Sequence, residues 1–217
     1  VSSTAVVAVV KTRPETVLED YKRVMEAARW RTTLDLDRDT IIKLNLSWTK
    51  YFPACSTQPW QLEGTLQTLL DAGMSRDRLI PLENKTVVTE PWAGCRNNRW
   101  EPVLKRMDLT FTALPEVPWQ VYQFKSPLLK LNEIFPDGIE IPKLYPGRQI
   151  VHLPTIKTHG HAVTTGAVKN AFGGLLKEVR HYAHKYMHEV LVDLLYMERE
   201  LHPARFSVMD GTVCGDG

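Results

Sequence analysis

Apolar residues in this chain form short continuous runs separated by stretches with helical spacing. Thr4–Val10 and Thr40–Leu46 are β-branched or apolar runs, which are typical of buried strands. Apolar positions at helical spacing follow each run, over residues 14–30 and over Pro59–Ala72. Leu79–Leu82 predicts a further strand. This order predicts an α/β fold in which helices flank a mostly parallel sheet.

The middle of the chain interrupts this regular order. Residues 89–148 contain eight prolines and little sustained periodicity. Short strand candidates are Thr86–Val88, Leu109–Ala113, Trp119–Phe124 and Ile139–Ile141, and the second and third are candidates for pairing with each other. We therefore expect a single α/β domain over residues 1–217, with an irregular inserted lobe or cover at residues 89–148.

The last third of the chain predicts a strand, a polar loop and a long helix. Ile150–Leu153 is an apolar run that leads into the polar segment 154–166, and helical spacing then extends over Leu175–Leu201. The apolar face of that helix comprises Leu176, Val179, Ala183, Met187, Val190, Leu191, Leu194 and Leu195. Phe206–Met209 predicts a final strand. Because the chain ends within a glycine-rich loop, we expect the natural domain to continue beyond Gly217.

Composition excludes several classes of protein. The formal net charge is only +2 over 217 residues, so no strong overall field favours nucleic acid or an anionic membrane. No apolar run approaches the ~20 residues that span a bilayer. The three cysteines are far apart and form no CxxC pair, which excludes a local iron–sulfur or zinc motif and is typical of a reducing compartment. We expect a cytoplasmic protein with neither nucleic-acid nor membrane partners.

Candidate chemistry is concentrated in residues 151–174. Lys157, His159 and His161 alternate, so an extended chain would direct all three towards one ligand. Lysine suits a carboxylate or a phosphate, and histidine is the usual acid or base near neutral pH. The alternative is a surface loop in which the histidines have only structural partners.

Lys169 and Asn170 follow a Thr-Thr-Gly turn on a predicted short helix. Thr164 and Thr165 are candidates for capping that helix, and its free N–H groups would attract an anion. Gly173 and the glycine after it would weaken so short a helix unless the backbone must approach another group closely. This argues that the helix has a function.

Lys43 and Asn45 alternate along the strand run Thr40–Leu46, so they share one face. One interpretation is a solvated sheet face. The other places a cation and an amide at the carboxyl end of the strand, where α/β proteins bind ligands.

One set of histidines is a candidate for binding a divalent metal. His184 and His188 lie at i and i+4 of the predicted long helix, a spacing that chelates a metal, with His159 or Asp210 as further ligands. The alternative is a polar helix face over a pocket. Asp210 and Gly211 would otherwise form a simple turn.

Four separated motifs together resemble the domain-of-unknown-function 362 family. They are the Lys43-x-Asn45 strand end, the helix start from Ser56 and Thr57 to Glu63, the segment PTIKTH…GAVKNAFGG, and Asp210-Gly211. The resemblance implies a shared site that includes Ser56 and Thr57 among the ligand-binding residues. Many members carry an attached ferredoxin-like module. Because this chain lacks those cysteines, we expect no iron–sulfur cluster from this chain alone.

The residues and the resemblance lead to one principal hypothesis. We expect an enzyme that acts on a small anionic substrate, a carboxylate or a phosphate, by lysine and histidine acid–base chemistry of the lyase or isomerase type, with divalent metal assistance as an option. The catalytic candidates are His159, Lys157 and Asp210, and the substrate-binding candidates are Lys43, Asn45, Ser56, Thr57, Lys169 and Asn170. The alternative is a non-catalytic ligand-binding or redox-accessory module that works with an iron–sulfur protein or as a homo-oligomer.

Overall fold

The computed structural model describes residues 5–177 and 180–216. Thr4, Val179 and Gly217, which belong to three of the predicted features, lie outside the described residues. The helices of the described part are α1 (Val17–Ala27), α2 (Pro59–Asp71), α3 (Pro91–Asn97), α4 (Trp100–Arg106), α5 (Leu131–Ile134), α6 (Ala167–Leu175) and α7 (Met187–Leu201). The strands are β1 (Thr40–Lys43), β2 (Leu79–Glu83), β3 (Thr112–Ala113), β4 (Trp119–Tyr122), β5 (Ile139–Pro142), β6 (Gln149–His152), β7 (Thr155–His159), β8 (Val163–Thr164), β9 (Arg205–Ser207) and β10 (Asp210–Gly215).

The central sheet is parallel throughout. Its strand order is β3-β2-β1-β6-β9, and β1 pairs with β2 on one side and with β6 on the other. Every residue of β1 and of β6 is buried, as expected for strands that are covered on both faces. The predicted α/β fold with a parallel sheet flanked by helices is therefore confirmed.

Two apolar cores lie on opposite faces of this sheet. Ile42 points into the core formed with α1, α2 and α4, whereas Ile41 points into the core formed with α6 and α7. This division follows from the period-two alternation of side chains along a strand. At the first core, α1 and α2 approach so closely that a methyl group at Gly64 would lie 2.8 Å from Cβ of Tyr21.

Helix α2 begins at a position that the sequence specifies well. Gln58 and Gln61 form a reciprocal capping box, in which the Gln58 N–H donates to Oε1 of Gln61 at 3.2 Å. Pro59 occupies the first helical turn, where no backbone donor is needed. These contacts fix the first turn of α2. They therefore also fix the end of the loop that connects β1 to α2.

The predicted strand at Thr4–Val10 is wrong for its described part. Residues 5–10 have no regular secondary structure, and Val7 and Val9 are 85% and 90% exposed. β-branched residues favour a strand only where a neighbouring strand and a buried face are available. Thr86–Val88 is also not a strand, because Thr86 and Thr89 bond to each other across a tight turn.

Residues 89–148 contain more regular secondary structure than the irregular lobe that the sequence predicts. Helices α3 and α4 lie in its first part, and β3 joins the central sheet as a parallel neighbour of β2. The expected pairing of β3 with β4 is wrong, since β4 pairs antiparallel with β5 in a separate two-stranded ribbon. The remainder of this region consists of loops and the short helix α5.

A second, smaller sheet follows the central one. The segment after Leu153 was expected to be a loop, but Thr155–His159 forms β7, which pairs with β10 and β8. The alternative interpretation of Asp210 and Gly211 as a simple turn is excluded, because Asp210 is the first residue of β10. Among the helices that the structure describes, none has the length and apolar character to cross a membrane.

The predicted long helix over Leu175–Leu201 is divided. Helix α6 ends at Leu175, a 3₁₀ segment occupies Arg180–Tyr186, and α7 begins at Met187. His184 therefore lies in the 3₁₀ segment and His188 in α7. The i, i+4 chelating geometry that the sequence predicted for these two histidines belongs to a continuous α-helix, and the structure does not provide one.

Candidate functional site

The strand order changes direction at the carboxyl ends of β1 and β6, and we call the region beyond these strand ends the crevice. The chain proceeds from β1 to β2 and β3 on one side, and from β6 to β9 on the other. Neighbouring strands whose connections run in opposite directions leave an opening beyond their carboxyl ends, where open α/β sheets bind ligands. Lys43 and His152 end these two strands and are register partners.

Lys43 lies at the base of the crevice and is 1% exposed. Its Nζ donates to Oε1 of Glu83 at 2.7 Å and to the carbonyl of Leu44 at 2.6 Å. Burial lowers the pKa of the Lys43 ammonium, and the Glu83 carboxylate opposes that shift. Because the Glu83 carboxylate already neutralises its charge, Lys43 has a structural role beneath the site.

The glycine pair at residues 173 and 174 fits over this lysine. A methyl group at Gly174 would lie 2.6 Å from Cε of Lys43 and would also collide with the Tyr145 hydroxyl. Helix α6 can therefore pack on the Lys43 side chain only without a Cβ at this position. The close backbone approach that the sequence predicted for the glycines is present.

Lys157 extends from β7 into the crevice. Its Nζ donates to Oδ1 of Asn45 and to the carbonyl of Cys55, both at 2.5 Å. Burial lowers the pKa of Lys157 to about 8, and the nearby charge of Lys169 contributes. Lys157 and Asn45 are thus brought together as the sequence predicted.

Ser56 and Thr57 hold the loops around Asn45 rather than facing open space. The Thr57 hydroxyl accepts the Asn45 N–H and donates to the carbonyl of Leu153, both at 2.7 Å. The Ser56 hydroxyl accepts the N–H of Ser47 at 3.2 Å. Both side chains are 1% exposed, so their direct role in this structure is to tie β1 to the start of β7.

Lys169 has neither a counter-ion nor a hydrogen-bond acceptor among the described residues. Its Nζ lies 4.9 Å from the centre of the Phe172 ring, and no described residue accepts a hydrogen bond from it or forms an ion pair with it. Burial lowers the pKa of Lys169 to about 8, and the positive charges of Arg180 and Lys43 add to this shift. A half-buried ammonium without an acceptor is a candidate for binding an anion.

The first turn of α6 lies beside these two lysines. Gly166 precedes the helix, and no side chain caps it. Thr165, a predicted cap, instead donates its hydroxyl proton towards the carbonyls of Thr155 and Lys157, at 2.8 and 3.0 Å. The threonine therefore secures β7 and leaves the helix end open to a ligand.

His159 is held in one tautomer by the backbone. Its Nδ1 accepts the N–H groups of His161 and Ala162, each at 3.1 Å. A neutral imidazole that accepts at Nδ1 carries its proton on Nε2. Burial lowers the pKa of His159 to about 4, with the charge of Lys169 contributing. At neutral pH the side chain is thus a hydrogen-bond donor at Nε2.

His184 has the opposite tautomer. Its Nδ1 lies 3.0 Å from the carbonyl of His181, so Nδ1 carries the proton and Nε2 keeps its lone pair. The ring stacks parallel to His159 with 6.2 Å between centres and lies 5.1 Å from the ring of His161. We call Lys157, His159, His161, Lys169 and His184 the lysine–histidine cluster.

The cluster does not contain the predicted set of metal ligands. Within residues 5–177 and 180–216, no group of three or more His, Cys, Asp or Glu side chains is arranged to hold one. His188 is exposed on α7 and takes no part in the cluster. The Nε2 proton of His159 and the two neighbouring ammonium groups would both repel a cation.

Asp210 has a structural environment at the start of β10. Its carboxylate accepts hydrogen bonds from the Tyr21 hydroxyl and from Nε1 of Trp60, and both the N–H and the hydroxyl of Thr212 donate to it. Four donors occupy the lone pairs of this carboxylate, which is 1% exposed. Asp210 joins α1 and α2 to the second sheet.

Asn170 points inward, away from Lys169, and leads to residues that sequence reasoning missed. Its Nδ2 donates to the carbonyl of Lys43 and to Nδ1 of His152, at 3.2 and 3.4 Å. His152 in turn bonds through Nε2 to Glu198 at 2.9 Å. The one available signal for Glu198 was its spacing, four residues after Leu194 and three before Leu201, which places a charge on the apolar face of the helix.

Comparison with known families identifies the family of this chain. The family model described as a domain of unknown function, DUF362, matches residues 40–217. The chain belongs to the DUF362 family. The DUF362 match includes the whole lysine–histidine cluster together with β1 and β10. Comparison with curated proteins gives no significant match.

Proposed function

We propose that this DUF362 protein is an enzyme that binds a small anionic substrate at the lysine–histidine cluster and transfers a proton to or from it. The observation that carries the proposal is the Lys169 ammonium, which is half-buried and has no acceptor among the described residues. The positive charge of Lys43 lowers the pKa of Lys169, and the positive charge of Lys169 lowers the pKa of Lys157. A carboxylate or a phosphate would complete this charge balance.

Lys157 is the proposed base. Two of its N–H bonds are directed to Asn45 and Cys55, so the third position of the nitrogen is oriented and free for a substrate. A pKa of about 8 leaves a useful fraction of neutral amine at physiological pH. The amine then accepts the substrate proton, and the ammonium that forms can return it.

His159 is the proposed stabiliser of negative charge, which changes the role expected from sequence. Its Nδ1 is occupied by two backbone N–H groups, so it cannot accept a proton there without losing them. Its Nε2–H can donate to an oxygen that becomes negative as the proton leaves the substrate. A neutral imidazole is suited to this because it does not give up its proton easily.

These roles describe removal of a proton from a carbon beside a carboxylate. Lys169 holds the carboxylate, Lys157 takes the proton, and the electron pair moves onto the oxygen that faces His159. Return of the proton gives an isomerase, and loss of a leaving group from the neighbouring carbon gives a lyase. We place this activity in the cytoplasm, which is consistent with three free cysteines, Cys55, Cys95 and Cys214.

The proposal is tested by deuterium exchange into substrate carbon. The full chain is incubated in D₂O with a panel of small mono- and dicarboxylates, and exchange is followed by proton NMR. We expect at least one compound to exchange, with a loss of at least ~10²-fold in Lys157→Met and none in Lys177→Met, whose exposed ammonium pairs with Glu140. Exchange that survives unchanged in Lys157→Met would exclude the lysine as the base.

A second candidate function rests on an exposed apolar patch beside the crevice. Trp48 and Phe52 in the loop after β1 are 41% and 51% exposed, and Val88 and Trp92 near α3 are 50% and 40% exposed. Thr49 ties the two loops by donating to the Val88 carbonyl at 3.2 Å. Such a patch suits a protein partner, as a ligand-binding or redox-accessory module would require, or a second copy of this chain. Anion binding without any exchange activity would favour this candidate.

A further inference from the structure

Behind the crevice lie four buried polar atoms without a hydrogen-bond partner among the described residues. They are the Tyr145 hydroxyl, Oδ1 of Asn170, Oε1 of Glu198 and Nε2 of His202. Their residues are between 1% and 5% exposed. Buried polar groups almost always have partners, and each unsatisfied one costs ~1–3 kcal/mol. Four in one region therefore require an explanation.

The four atoms belong to one chain of contacts. The Tyr145 and His202 rings are 5.4 Å apart between centres, and His202 follows Glu198 by one helical turn at the end of α7. Glu198 bonds to His152 at 2.9 Å, and Nδ2 of Asn170 lies 3.4 Å from the other nitrogen of His152. The four residues are thus connected in one polar region, in which the Tyr145 hydroxyl lies against Gly174 of α6.

The orientation of each acceptor is fixed by its other bonds. Asn170 cannot be flipped, because its Nδ2 faces two acceptors, the Lys43 carbonyl and Nδ1 of His152. His202 carries its proton on Nδ1, which lies 2.7 Å from the carbonyl of Arg148, so Nε2 has a lone pair. Glu198 donates nothing through Oε1 when ionised.

Three acceptors consequently share one side-chain donor, the Tyr145 hydroxyl. One hydroxyl proton cannot satisfy an amide oxygen, a carboxylate oxygen and an imidazole nitrogen together. The missing component must supply at least two protons. A water molecule does so, and buried water bonds to about three polar groups on average.

We propose that Tyr145, Asn170, Glu198 and His202 form a buried water-binding site. The water donates its two protons to two of the three acceptors, and the Tyr145 hydroxyl donates to the third. A metal cation is the less suitable occupant, since the ammonium of Lys43 and the guanidinium of Arg180 are near enough to affect the same groups. The inference does not depend on the enzymatic proposal, although the site supports Asn170 and through it the first turns of α6.

A crystal structure of the full chain at high resolution tests the inference directly. We expect a solvent peak within about 3.2 Å of at least two of the four atoms. Direct bonds among the four side chains in other rotamers, with no solvent between them, would overturn it. So would a peak at about 2.0–2.4 Å with metal coordination geometry.

A double-mutant cycle provides a second test in solution. Tyr145→Phe removes one of the three protons that the acceptors share, and Glu198→Gln replaces one of the three acceptors, Oε1, by an amide N–H group. No direct hydrogen bond joins these two side chains in the structure. We expect the pair to be non-additive by about tenfold in the unfolding equilibrium constant, and Tyr122→Phe on β4 to be additive with Glu198→Gln. Additive behaviour of both pairs contradicts a shared water. If either variant fails to fold, the crystallographic result decides.

Discussion

The ammonium of Lys157 donates to Oδ1 of Asn45 at 2.5 Å, across 112 residues of sequence. This bond joins the second sheet to the loop after β1 and sets the direction of the lysine nitrogen. Because the Cys55 carbonyl takes a second N–H bond, one position of the nitrogen remains without an acceptor among the described residues. The proposed base is thus oriented by two acceptors that carry no formal charge, which leaves the pKa of Lys157 low.

Replacing Asn45 by aspartate changes that property. Asn45→Asp places a carboxylate against Lys157 and favours its charged form, so we expect the pKa of Lys157 to rise from about 8 by at least one unit. Titration of the Lys157 Nζ by heteronuclear NMR measures the shift. Asn97→Asp, at an exposed position on α3, serves as the control and leaves the titration unchanged. A pKa of Lys157 that stays near 8 in Asn45→Asp contradicts the contact.

The tautomers of two histidines follow from their backbone contacts. We expect ¹⁵N NMR near pH 6 to show His159 protonated at Nε2 and His184 protonated at Nδ1. His159 has a pKa of about 4, below the ordinary 6.5, so the folded state binds fewer protons than the unfolded state between these values. Stability therefore falls as the pH drops from about 6.5 to 4. A His159 that titrates near 6.5 would contradict the burial of its ring beside Lys169.

His159→Asn provides the matched variant for that experiment. The asparagine oxygen can accept the N–H groups of His161 and Ala162 but does not titrate. We expect the acid-dependent loss of stability, measured by urea unfolding between pH 4 and 7, to become shallower in this variant. An unchanged pH dependence would assign the effect to other groups.

Gly174 tests the packing of α6 on Lys43. Gly174→Ala would force Cβ to within 2.6 Å of Cε of Lys43, so we expect destabilisation by about 1–3 kcal/mol. Gly160→Ala is the control, because nothing lies within 4 Å of a methyl group there. Thermal unfolding of both variants measures the difference. Equal melting temperatures would mean that α6 is not seated on Lys43.

Removing only one partner of the buried pair of Lys43 and Glu83 is expected to lower the free energy of unfolding. Lys43→Met leaves the Glu83 carboxylate buried without its cation, at a cost of about 3–5 kcal/mol in the free energy of unfolding. The double variant with Glu83→Gln should recover part of this loss, because the uncompensated charge is gone. Chemical denaturation measures all three proteins. A double variant less stable than Lys43→Met would contradict this account.

The strands and helices that sequence predicted well are those with a strong period and two buried faces. The strand at Thr40–Leu46 and the helix that begins at Pro59 could be predicted from local sequence alone. The position of the crevice follows from them, because it lies at the carboxyl end of that strand. By contrast, Val7 and Val9 have strand propensity but no partner strand, and propensity alone could not reveal this. The sequence predicts a catalytic role for Asp210 and cannot reveal the donors that occupy its carboxylate, because Tyr21 and Trp60 are remote in sequence.

The site itself was only partly predictable for the same reason. The alternation of Lys157 and His159 along the chain predicted that both side chains face one ligand. The glycine pair at residues 173 and 174 indicated that the helix carrying Lys169 has a function. The role of His159 depends on two backbone N–H groups whose direction no pattern of residue types specifies. The pair of His152 and Glu198, 46 residues apart, needs the sheet and α7 to be assembled first.

Anion binding by the Lys169 ammonium is the central claim, and isothermal titration calorimetry with inorganic phosphate and small carboxylates tests it most directly. The account predicts binding by the wild-type chain and by Lys177→Met, a loss of at least ~10-fold in Lys169→Met, and weaker binding as the pH rises through about 8, where Lys169 loses its proton. Equal affinity in Lys169→Met and Lys177→Met, or binding that does not weaken above pH 8, would contradict it.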